Sequence, residues 1–143
     1  MGFIAKTEFK EVFYTFISDI DDIDEKLVDF WNNNIIKIKD WYLNQCKEDD
    51  MVISASPAFL LEEICARIGI KFLIASQVDK RSGKYTGVNC YGAEKVRRFR
   101  ESFPDVIIES FYSDSRSDTP MAMIAKKAFM VKGNVVRKWY NED

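Results

Sequence analysis

The ten residues Phe111-Tyr112-Ser113-Asp114-Ser115-Arg116-Ser117-Asp118-Thr119-Pro120 place two carboxylates where an apolar run gives way to a helical pattern. The run before them, Val106 to Ile108, reads as a buried strand, and a helix is expected at or just after Pro120. In an open α/β sheet that kind of junction, at the carboxyl end of a strand, is where ligands bind. Small residues around Asp114 and Asp118 let the backbone approach an ion or a phosphate. Paired oxygen ligands on a tight loop suit a hard cation such as Mg²⁺. The same residues also read as a polar turn in which Thr119 caps a helix and Pro120 takes its first position.

The rest of the chain decides what kind of sheet this strand belongs to. Phe9, Val12, Phe13, Phe16 and Ile17 recur at helical spacing, and a second helix is expected from about Asp22 with Ile23, Leu27, Phe30 and Trp31 on one side. Asn32-Asn33-Asn34 marks a break, after which Ile35, Ile38, Trp41 and Tyr42 continue a helical face. The pattern changes after the charged turn Lys47 to Asp50. Met51-Val52-Ile53 is a short apolar run, and Leu61, Ile64, Cys65 and Ile68 form a helical face closed by Gly69. Lys71 to Ala75 reads as a strand, and Gln77 to Asn89 suggests a hairpin. A helix opens at Tyr91-Gly92 with Val96, Phe99 and Phe103 inward, and Pro104 ends it. The strand Val106 to Phe111 comes next. Met121, Ile124, Ala125 and Ala128 make the next helical face, and Phe129-Met130-Val131 is a last apolar run. Val135 to Tyr140 adds a final strand or a short tail. Strands alternating with helices argue for an α/β fold with a mainly parallel sheet. The opening helices do not alternate with strands and read as a separate layer or lid.

Composition narrows the chemistry. The 143 residues are 47% hydrophobic and 14% aromatic, enough for one domain with a real core. Twenty-one basic and 23 acidic residues leave no electrostatic footprint for nucleic acid. No apolar run is long enough for a membrane span and no signal peptide is evident, so a membrane partner is not expected. Cys46, Cys65 and Cys90 fit neither a metal-ligand spacing nor a disulfide framework, which makes a reduced, cytoplasmic protein the expectation. With no histidine, Ser-His-Asp and Cys-His catalysis are excluded, as are His metal ligands and a His general base.

Two further polar sites fall at ends of elements. Ser54-Ala55-Ser56 follows a strand and precedes a helix, where a serine hydroxyl and backbone N–H groups can hold a phosphate. It reads equally as a cap by Ser56 with Pro57 at the first helical position. Lys95 comes near the start of a helix, where its charge opposes the helix dipole, so helix stability does not explain it. A solvated surface lysine is the alternative.

Together these residues resemble the haloacid dehalogenase-like hydrolase superfamily, in particular its phosphoserine-phosphatase-like branch. Val52-Ile53-Ser54-Ala55-Ser56-Pro57 is similar to that family's second motif, a strand ending in Ser or Thr. Gly92-Ala93-Glu94-Lys95 is similar to the third, a lysine early in a helix. Tyr112 to Pro120 is similar to the fourth, an acidic D-x-x-x-D loop after a strand. Phe129 to Asn134 resembles the family's segment beyond that loop, and the likeness covers roughly Lys47 to Asn134.

The resemblance implies a Rossmann-like core over residues 47–143 behind a helical cap over residues 1–46, and a Mg²⁺-dependent phosphomonoester hydrolase acting on a small phosphorylated molecule. It implies that Ser54 and Ala55 bind the phosphoryl oxygens. Lys95 would neutralise charge between phosphate and nucleophile, Asp114 would ligate the metal, and Asp118 would be a second ligand or orient the first. The family's first motif, a strand ending in D-x-D-x-T whose first Asp is the nucleophile, has no counterpart. Asp19-Ile20-Asp21-Asp22 follows a helical pattern and has Ile23 at the threonine position. The expectation is therefore an incomplete or inactive copy that starts inside the cap. It would bind phosphate or metal without turnover, or pair with another copy through an open sheet edge.

Overall fold

The computed structural model describes residues 22–38 and 40–140. The expected helix from Glu8 to Ile17 and the Asp19–Asp21 pair lie outside them. Helix α1 (Ile23–Asn34) begins where Asp22 caps it, the Asp22 carboxylate accepting from the Glu25 amide at 3.2 Å. All four of the apolar residues expected on its inner side, Ile23, Leu27, Phe30 and Trp31, are buried. A single 3₁₀ turn (Ile35–Lys37) follows the asparagine run, and a short α2 (Asp40–Leu43) carries Trp41 and Tyr42.

Strands β1 (Met51–Pro57) and β2 (Phe72–Ser76) flank α3 (Ala58–Arg67) and pair in parallel. Helix α4 (Ala93–Ser102) leads to β3 (Ile108–Ser113), which is followed by a 3₁₀ turn (Arg116–Asp118) and α5 (Thr119–Ile124). Strand β4 (Ala125–Lys132) pairs in parallel with β3, and β5 (Val135–Lys138) returns antiparallel along β4. The molecule is thus α/β with parallel strands flanked by helices. Among the described residues the strands form two sheets, β1–β2 and β3–β4–β5. A cavity of about 620 Å³ is lined by Met51 and Ile53 of β1 and by residues of β3 from Ile108 to Tyr112.

Two apolar clusters hold these layers. One joins Leu27, Phe30 and Trp31 of α1 to Leu60, Leu61 and Ile64 of α3 and to Val52 of β1. The Trp31 indole N–H, fully buried, donates to the Leu60 carbonyl at 2.7 Å, so the burial of this ring leaves no polar atom unsatisfied. The other cluster joins Ile53 of β1, Phe99 of α4, Phe111 of β3, Met121 of α5, Met130 of β4 and Trp139.

Several boundaries differ from the sequence reading. Val106 and Ile107 are exposed and precede β3, which starts at Ile108, because the chain is still turning after Pro104 with the Val106 amide on the Phe103 carbonyl. The helix expected through Ala128 stops at Ile124. Ala125 turns to extended geometry and begins β4, so Ala125 and Ala128 belong to a strand. Pro57 ends β1 and precedes α3, and Ser56 makes no cap. Thr119 is the first residue of α5, and its hydroxyl donates back to the Arg116 carbonyl at 2.6 Å. The segment from Gln77 to Asn89 closes through one antiparallel bridge, Val78 with Tyr85, around a turn in which Asp79 accepts from the Arg81 and Ser82 amides.

Candidate functional site

Strand ends supply the site. At the end of β1, the ladder with β2 runs in register through Ser54 and then slips before Pro57, so Ala55 and Ser56 lie where the pairing is interrupted. Ser54 is buried, and its Oγ accepts from the Ser56 amide at 3.0 Å. That bond uses an oxygen lone pair and leaves the hydroxyl proton to be donated elsewhere.

At the end of β2, the fully buried Ser76 donates from Oγ to Asn89 at 2.8 Å and accepts from the Cys90 amide at 2.9 Å. Arg98 adds a hydrogen bond to the Ala75 carbonyl at 2.9 Å and another to the Val88 carbonyl. These contacts fix the return of the chain into α4. Gly92 enters that helix with φ +58° and ψ −126°, and Lys95 stands in its first turn.

Lys95 is 1% exposed, so the surface-lysine alternative is excluded. A buried ammonium needs a partner. It has one across the site: Lys95 Nζ lies 2.6 Å from Asp118 Oδ1, and Asp118 itself is fully buried. The second carboxylate oxygen accepts from Ser113 Oγ at 2.5 Å. Ser113, also fully buried, accepts in turn from the Ser115 amide at 3.1 Å. Burial pushes the Asp118 carboxyl up, but positive charge around it, Lys95 included, together with the hydrogen bonds from Lys95 and Ser113, leaves it below the usual carboxylate range.

Of the residues singled out from sequence, the fold brings Lys95 and Asp118 into contact. Asp114 is exposed and Ser54 bonds within its own loop; neither shares a hydrogen bond or ion pair with Lys95 or Asp118. The available oxygens bear on metal binding. No group of three His, Cys, Asp or Glu side chains that could hold a metal occurs among the described residues. Both Asp118 oxygens are engaged, whereas the Asp114 carboxylate has no protein partner among the described residues. Mg²⁺ is commonly held by one or two carboxylates with waters and phosphate oxygens completing the shell, so Asp114 fits as a single protein ligand.

Ser113, Ser76 and Arg116 escaped the sequence reading. A serine at the end of an apolar run, immediately before Asp114, is a readable signal, because a hydroxyl at a strand end must find hydrogen-bond partners there. The contacts of Ser76 and Arg116 come from segments distant in sequence.

A family model described as haloacid dehalogenase-like hydrolase matches residues 1–123. No curated protein matches. Among solved structures, the crystal structure of a protein of unknown function from Bordetella pertussis Tohama I is similar at 21% identity with a TM-score of 0.47. The match covers 87% of this chain and 58% of that one. No helix among the described residues is long and apolar enough to cross a membrane.

Proposed function

Because the chain belongs to the haloacid dehalogenase-like hydrolase family, we propose that its strand-end site is a phosphoryl site of the Mg²⁺-dependent phosphomonoesterase type, binding a small phosphorylated molecule. The single observation that carries this reading is the buried Lys95 at the start of α4, paired with Asp118, whose other carboxylate oxygen accepts from Ser113. A desolvated cation fixed at strand ends is suited to the charge of a phosphoryl group, where stabilisation by preorganised charge supplies most of the rate.

The residues divide the work. Ser54 donates its free hydroxyl proton to a phosphoryl oxygen, and the Ala55 backbone amide is the second donor on that side. Lys95 neutralises phosphoryl charge. Asp118 aims Lys95 and takes no metal while both its oxygens are engaged. Asp114 would hold Mg²⁺, which when bound would offset the remaining phosphoryl charge. A D-x-D-x-T nucleophile loop has no counterpart in the sequence, so the activity assigned to this chain is binding of phosphate and Mg²⁺ with little turnover of its own.

The test is calorimetric titration of Mg²⁺ and inorganic phosphate into the protein and its Asp114→Asn and Lys95→Met variants, alongside hydrolysis of an aryl phosphate. Metal binding lost in the first variant and phosphate binding lost in the second are expected, with hydrolysis near background. Absence of both ligands from the wild-type protein would overturn the reading. Mg²⁺-dependent turnover that disappears with Asp114→Asn would overturn the claim of little turnover.

A further inference from the structure

Arg116 sits midway between the two acidic residues of the loop, two positions from each. Its guanidinium reaches out of the loop to the far end of the chain. One terminal nitrogen donates to the Trp139 carbonyl at 2.9 Å, and the guanidinium carbon lies 5.0 Å from the centre of the Trp139 ring. Trp139 is itself immobilised. It is 2% exposed, its amide donates to the Ala128 carbonyl of β4 at 2.8 Å, and its ring packs beside Phe111 of β3 with centroids 6.1 Å apart. A planar fork that hydrogen-bonds and stacks at once defines an orientation that a flexible ammonium does not.

The loop has two anchors with different targets. Ser113 holds the beginning of the loop and the Asp118 carboxylate. Arg116 holds the middle, and its carbonyl accepts from the Thr119 hydroxyl, tying that middle to the start of α5. Asp114 lies between the anchors, exposed and without a hydrogen bond or ion pair of its own among the described residues. Its direction is therefore set by the backbone on either side: Ser113 before it and Arg116 after it.

We propose that Arg116, seated on Trp139, is the positioning residue for Asp114, so that the tryptophan just beyond the end of β5 sets the geometry of the cation-binding carboxylate. Residues supporting a metal ligand from behind commonly alter metal affinity about 10- to 100-fold when removed. The metal part of this inference rests on the function proposed above, while the ordering of the loop does not.

Two measurements on the full chain separate them. Amide hydrogen exchange, without metal, compares the wild-type protein with Arg116→Met and Arg116→Lys. Exchange across Ser113 to Asp118 is expected to quicken about tenfold in Arg116→Met, with peptides of β1 and α3 unchanged. Arg116→Lys keeps a charge over the ring and is expected to recover part of the protection. Mn²⁺ affinity, read by water-proton relaxation, is expected to weaken about tenfold in Arg116→Met, in line with the loss of a supporting contact. Unchanged loop exchange in Arg116→Met overturns the proposal. Faster exchange in that variant, together with a wild-type protein that binds no Mn²⁺, supports the Arg116 anchor and overturns the cation site. Global destabilisation reads as faster exchange in β1 and α3 as well, and that result also counts against a local positioning role.

Discussion

Lys95 and Asp118 meet at 2.6 Å with both side chains buried, one from the first turn of α4 and the other from the turn that opens α5. They are 23 residues apart in sequence. Their pairing ties the end of the β2–α4 connection to the end of β3, and it compensates two charges neither of which tolerates burial alone.

Removing one partner leaves the other charge uncompensated. Lys95→Met and Asp118→Asn are each expected to lower unfolding stability by about 3–5 kcal/mol. The double variant Lys95→Met with Asp118→Asn should be less destabilised than the sum of the single changes, because no lone charge remains. Urea denaturation of the four proteins checks this as a double-mutant cycle. Additive losses would show that the pair is not coupled.

The depressed Asp118 carboxyl also gives a pH dependence of known sign. Its ordinary value is 3.8 and its folded value is lower, so the folded state binds the proton more weakly than the unfolded state. The contribution is fully present above the ordinary value and is lost as pH falls through the folded one. Stability measured downward from about pH 5 should therefore fall less steeply in Asp118→Asn than in the wild-type protein. Parallel curves for the two proteins would count against a depressed carboxyl at this position.

Gly92 enters α4 with φ +58° and ψ −126°, a backbone region that is strained for any side chain. A Cβ there would meet nothing within 4 Å, so the cost of Gly92→Ala is conformational rather than steric. The expected loss is about 1–3 kcal/mol. Gly92→Asn is expected to fare no better, since asparagine tolerates the left-handed helical region and not this one. Thermal unfolding of both variants tests it: an asparagine variant as stable as the wild type would mean that the turn is of another kind.

Much of the fold was legible because burial follows period. Ile23, Leu27, Phe30 and Trp31 recur at helical spacing, and all four are buried on α1. The short apolar runs around Ile53 and Phe129 lie in parallel-paired strands, as their length and composition suggested. Legibility failed where a short apolar run meets a helix-period pattern. Met121, Ile124, Ala125 and Ala128 have helical spacing, yet the helix ends at Ile124, because parallel pairing with β3 draws Ala125 and Ala128 into a strand. Val106 and Ile107 are apolar and exposed, and no local pattern separates them from Ile108.

In the site, residue types and their order were readable, and contacts were not. Residue identity and order were enough to establish that chemistry here runs without histidine, that small and acidic residues end the strands, and that a lysine stands at a helix start against the dipole. Packing in three dimensions was needed to bury this lysine, to set Asp118 rather than Asp114 against it, and to lean Arg116 on Trp139. Periodicity encodes which side of an element faces the core, a property of neighbouring residues. The pairing of Lys95 with Asp118 depends on how α4 and the β3–α5 turn pack together, and no local sequence pattern carries that.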